Sequence, residues 1–74
     1  MLLSDLKIGE YAMIESILDE GLSLKLYEMG CLPGVFVFMQ NIAPLGDPMV
    51  IKVGDYLLGL RKDEARNVCV VPRN

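Results

Sequence analysis

The side chains able to do chemistry are few in this 74-residue chain, and they are scattered. Histidine is absent, which removes the commonest general base and the commonest transition-metal ligand together. Ser4, Ser16 and Ser23 therefore have no imidazole to activate them. Cys31 and Cys69 lie far apart, outside any CxxC or metal-ligand spacing, and read as two free, largely buried thiols. A nucleophilic Cys31 would need a base or a strong positive field beside it, and none is evident. The carboxylates include two adjacent pairs, Asp19-Glu20 and Asp63-Glu64, able to hold a hard cation only weakly. At helix starts such pairs complement the helix dipole instead. Gly30-Cys31-Leu32-Pro33-Gly34 has glycines but lacks the lysine and spacing of a phosphate loop. The expectation is a protein that is not an enzyme and carries neither metal nor cofactor.

Bulk properties narrow the class further. A net charge of −3 and a pI near 4.7 disfavour binding to a phosphate backbone. The basic residues Lys7, Lys25, Lys52, Arg61, Lys62, Arg66 and Arg73 form no cluster along the chain. Nucleic acid is not the expected partner. A hydrophobic fraction of 53% and a mean hydropathy of +0.40 exclude disorder. The longest apolar runs, such as Val35 to Met39, are too short to span a bilayer, and no signal peptide is visible at Met1 to Asp5. A cytoplasmic chain without membrane insertion is expected. It should form a single domain over residues 1–74, exposing about 4,500 Å² when folded.

Glycine and proline cut the chain into short elements. Tyr11 to Leu18 reads as a first strand, with Ala12, Ile14 and Leu18 sharing a face with Ser16. Ser23 to Met29 reads as a two-turn helix capped by Ser23, with Leu22, Leu26 and Met29 as its apolar stripe. Gly30 stops it and Pro33 prevents its continuation. Val35 to Asn41 is a second strand, and Ile42 to Pro48 a broad hairpin loop. Met49 to Val53 and Tyr56 to Arg61 form a hairpin around Gly54-Asp55, with a bulge or bend expected at Gly59. Lys62 to Asn67 makes a helical turn, and Val68 to Val71 closes the chain. A mainly all-β fold follows: a small SH3-like barrel of about five strands, one short helix after the first and a helical turn before the last. An OB-fold would place its helix between the third and fourth strands.

The second strand is apolar on both faces. If Val37 and Met39 point inward, Phe36 and Phe38 point outward. They then form a partner surface or a homo-oligomer contact, unless the helix or the N-terminal arm covers them.

Three segments carry a resemblance. Lys25-Leu26-Tyr27-Glu28-Met29-Gly30-Cys31-Leu32-Pro33-Gly34 resembles the R/K-L-x-x-L-G-φ-x-P-G motif of the FeoA family. Ala43-Pro44-Leu45-Gly46-Asp47-Pro48 is similar to that family's A-P-L-G-D-P loop, and Leu60 to Ala65 with Val68 to Val71 resembles its closing segment. Leu6 to Glu10 matches the opening L-x-x-G. The motifs occur in order across the whole chain. Met29 and Cys31 depart from the usual leucine and larger aliphatic residue, and Lys25 stands where arginine is frequent. The resemblance implies an SH3-like barrel and a small cytosolic accessory protein of bacterial ferrous iron uptake. Its implied partner is the FeoB-type transporter, which carries a GTP-binding domain and would recruit it to the inner face of the membrane. The alternatives are a regulatory SH3-like domain related to the C-terminal domain of iron-dependent repressors, and a weak metal-ion-binding chaperone. Candidate partner-binding residues are Leu26, Tyr27, Met29 and Leu32 around the helix exit, Phe36 and Phe38 on the second strand, and Leu45 in the loop. Gly30, Pro33, Gly34, Pro44, Gly46, Asp47 and Pro48 are read as setting backbone geometry.

Overall fold

Alternation with period two decides which side of each strand meets the core. In the computed structural model, which describes residues 1–73, β1 (Tyr11–Ile17) buries Ala12 and Ile14, while β2 (Phe36–Ile42) buries Val37 and Met39. Met49, Ile51 and Val53 point inward from β3 (Met49–Val53), and Leu58 and Leu60 from β4 (Tyr56–Leu60). Val68 and Val70 do so from β5 (Val68–Arg73). All pairings are antiparallel, in the order β4-β3-β2-β1-β5. The exposed area is 4610 Å², close to the value that chain mass alone implies.

The ladder departs from expectation in where it bends. Register shifts fall between Ile14 and Ser16 in β1 and between Met39 and Asn41 in β2. No bulge occurs at Gly59, where β3 and β4 pair without interruption from Met49↔Leu60 to Val53↔Tyr56. The central strands pair on both sides and must curve around the core, so the extra residues lie there. The β1 bulge also breaks the alternation. Leu18, expected on the inner face, lies past the strand end and is exposed.

The helix starts earlier than the sequence suggested. Helix α1 spans Glu20–Glu28, and its cap is Asp19, not Ser23: Asp19 Oδ1 accepts from Leu22 N at 2.8 Å. Asp19 keeps extended backbone angles and a carboxylate within reach of the free N–H groups, which Ser23, already inside the helix, cannot do. Leu22 and Leu26 face the core, whereas Met29 leaves the helix and is partly exposed. The exit is a Schellman motif. Cys31 N donates to Leu26 O at 2.8 Å and Gly30 N to Tyr27 O at 3.0 Å, with Gly30 at φ +81. Pro33-Gly34 then forms a tight turn, closed by Val35 N donating to Leu32 O at 3.0 Å, in which Gly34 takes φ +94.

Two further pieces complete the core. A 3-10 turn at Leu3–Asp5, not foreseen from the sequence, helps bring Leu3 and Leu6 inside. Helix α2 (Lys62–Ala65) contributes Ala65. The N-terminal arm also bridges Leu2 to Cys69 on the outer edge of β5.

Candidate interaction surface

Helix α1 offers its outer side to solvent. Glu20, Ser23, Leu24 and Tyr27 follow helical spacing and line one shallow depression of about 330 Å³. Leu24 and Tyr27 are 63% and 64% exposed, so two large apolar side chains stand together on a face that the fold leaves uncovered.

The candidates at the helix exit divide. Tyr27 and Met29 are exposed and Leu32 is half-buried. Leu26 is only 1% exposed, which corrects its reading as a partner-binding residue. One turn beyond Leu22, it faces inward and anchors the Schellman contact with Cys31. Leu24 was missed from sequence, although it stood off the Leu22/Leu26 stripe and that offset was the available signal.

A second surface lies on the outer face of the sheet. Phe36 and Phe38 point outward as expected, Phe36 exposed and Phe38 half-buried. What shields Phe38 is Tyr11, whose ring lies 4.6 Å away at 49°, and the guanidinium of Arg73 sits 5.5 Å above Phe36. With Lys52 and Gly54, these aromatic residues line a depression of about 330 Å³. Tyr11 and Arg73 were not legible from sequence, because register between distant strands brings them here: Tyr11 pairs with both Phe38 and Arg73.

The loop between β2 and β3 presents Leu45 at 95% exposure. Its neighbours hold the backbone in place. Ala43 N donates to Pro48 O at 3.0 Å, Gly46 N to Ala43 O at 2.7 Å, and Lys62 N to Asp47 Oδ1 at 3.1 Å. Asp47 thereby ties the loop to the start of α2. Pro44 is exposed at the same turn. The arrangement separates a shaped backbone from one projecting side chain.

Charge pairing locks α1 to α2. Lys25 Nζ donates to Glu64 Oε2 at 2.9 Å, and Arg61 N to Glu64 Oε1 at 2.9 Å. The Lys25 hydrogen bond, followed by that from Arg61, holds the Glu64 carboxyl below its ordinary value of 4.5. A depressed carboxylate stabilises the fold above its unfolded pKa, and that contribution fades as pH falls through the lower folded value. Glu64→Gln is expected to cost about 0.5–1 kcal/mol at pH 7, kept small because Lys25 is half-exposed. Thermal melts of both proteins should converge when pH is lowered well below 4.5. A gap that persists there would assign the loss to packing.

Cys31 and Cys69 are both free thiols. Burial pushes the Cys31 thiol pKa up, partly offset by the nearby Tyr56 side chain, and a raised value is opposite to what a reactive thiolate requires. Among the described residues, no group of three or more His, Cys, Asp or Glu is placed to hold a metal ion. No helix among them is long and apolar enough to cross a membrane.

A five-stranded antiparallel sheet with two short helices, presenting apolar side chains on an outer helix face, a sheet face and a loop tip, defines a small SH3-like module. The FeoA domain family model matches residues 1–72, and the chain belongs to the FeoA family, which is linked to ferrous iron transport. A curated relative from Porphyromonas gingivalis, an Fe(2+) transport protein A/Fe(2+) transporter FeoB fusion protein, is 33% identical over 69 residues. That match takes in 92% of this chain but 8% of the relative's length. The iron(II) transport protein A of Clostridium thermocellum is 41% identical with a TM-score of 0.91, covering 97% of this chain and 45% of that one. FeoA of Stenotrophomonas maltophilia, solved with zinc and described as a prokaryotic SH3-domain protein, is 33% identical with a TM-score of 0.83, covering 95% of this chain and 88% of that one. A manganese-dependent transcriptional repressor shares the fold alone, at 12% identity and a TM-score of 0.86 over 99% of this chain and 41% of that one.

Proposed function

We propose that this chain is a cytosolic protein-interaction module of ferrous iron uptake that docks on a FeoB-type transporter. The observation that carries the reading is the Porphyromonas gingivalis relative, in which a segment similar to this chain is joined to FeoB. Covalent linkage supplies a high effective concentration, so contact within a fusion needs little affinity of its own. A separate chain must obtain that affinity from its surface. Leu24 and Tyr27 on α1 and Leu45 at the loop tip are the exposed apolar side chains suited to it.

Calorimetric titration against the soluble GTP-binding domain of the cognate transporter, with GDP and with a GTP analogue, tests the reading. Saturable binding supports it, and a difference between nucleotide states adds regulation. Absence of binding in both states, and to the full transporter in detergent, overturns it.

Leu45 gives a finer check. At 95% exposure its side chain makes almost no packing contribution, so Leu45→Ala should leave the melting temperature within about 2 °C. Partner affinity should fall roughly tenfold, as for loss of one apolar anchor. A large drop in melting temperature would instead place Leu45 in the core.

A further inference from the structure

The two edges of the sheet are treated differently. β5 is covered: Leu2 bridges Cys69, and Val70 N donates to Met1 O at 2.7 Å. β4 is bare. Its sequence, Tyr56-Leu57-Leu58-Gly59-Leu60, holds no charge and no proline, the usual devices that discourage edge pairing.

The hairpin fixes which backbone groups of β4 are free. Val53 and Tyr56 flank the two-residue turn Gly54-Asp55 and so face each other through their hydrogen-bonding groups. By alternation Leu58 and Leu60 also turn theirs toward β3, leaving the N–H and C=O of Leu57 and Gly59 directed outward. Among the described residues, no loop, turn or capping backbone bond reaches either of them.

We infer that β4 is a pairing edge for a second copy of this chain, in an antiparallel dimer centred on Leu58. In that register Leu57 of one copy lies opposite Gly59 of the other, and both pairs fall at the hydrogen-bonded positions. Four interchain N–H to C=O bonds then satisfy every outward group of both residues. Side chains agree with the register. Leu57 is 58% exposed on the outer face, and a Cβ built on Gly59 meets nothing within 4 Å, so the leucine of one copy has open space over the glycine of the other. No like charges meet within the paired segments. The strand is therefore complementary to itself, which a two-fold interface requires.

A five-residue pairing buries less than the roughly 1,200 Å² of a standard interface, so the dimer should be weak, with Kd on the order of 0.1–1 mM. Sedimentation equilibrium across that range, together with amide hydrogen exchange at low and high concentration, tests it. The expected result is a reversible monomer–dimer equilibrium in which the Leu57 and Gly59 amides alone gain protection along β4. Leu57→Lys, at an exposed position, should keep the melting temperature and weaken association at least about tenfold. A chain that stays monomeric at 1 mM overturns the inference. So does a dimer that survives Leu57→Lys, or one whose protection appears on the Phe36 and Phe38 face.

Discussion

Leu26→Ala is expected to lower the melting temperature by at least about 10 °C, the largest single effect foreseen for this protein. Leu26 is 1% exposed and sits at the last inward position of α1, where Cys31 N returns to its carbonyl. Removing a buried leucine side chain costs roughly 2–5 kcal/mol, from lost transfer free energy plus the cavity left behind. A domain of this size has only about 4–11 kcal/mol in total, so the variant should be partly unfolded at physiological temperature. Each kcal/mol moves the midpoint by about 4–8 °C in so small a domain. Circular dichroism melts check this directly. An unchanged midpoint with weakened partner binding would return Leu26 to the surface role that its motif first suggested.

Tyr27→Ala, one residue on, should behave in the opposite way. Its ring is 64% exposed beside Leu24, so the midpoint should shift by little more than the helix-propensity difference, under about 1 kcal/mol. Aromatic side chains at interface centres are the ones whose truncation costs about 2 kcal/mol or more. If α1 is the docking face, transporter affinity falls at least about thirtyfold. Combining Tyr27→Ala with Leu24→Ser should abolish detectable titration while the fold persists. Affinity that survives the double variant would move the contact to the sheet face around Tyr11, Phe36 and Phe38.

These adjacent residues show how far a motif can be read. The Lys25 to Gly34 segment announced a helix, its stop and a turn, and all three are present because each depends on neighbours in the chain. Gly30 reaches φ +81 and Gly34 φ +94, conformations in which any residue with a Cβ is strained. The motif could not separate its inward leucine from its outward tyrosine as binding candidates. The helix begins at Glu20, where Asp19 caps it, so the expected start at Ser23 fell three residues inside. The stripe therefore closes on Leu22 and Leu26 and leaves Met29 outside.

Local rules also located the hairpin around Gly54-Asp55 and the alternation of β3, since tight turns and period two are written in adjacent residues. The bulges were not legible. They arise where β1 and β2, each paired on both sides, curve around the core, and no glycine marks the place.

What the chain determined by itself is the set of short elements, the SH3-like class and the absence of histidine chemistry. Turn residues, alternation and composition act over a few positions and need no partner to be read. What only the tertiary structure decided is which side chains meet. Lys25 reaches Glu64, Asp47 receives Lys62 N, and Tyr11 lies against Phe38 with Arg73 beside Phe36. Each contact joins segments far apart in sequence, whose distance is set by sheet order and register. The same order leaves β4 and β5 at the two edges of the sheet, and only the folded N-terminal arm, remote in sequence, covers β5.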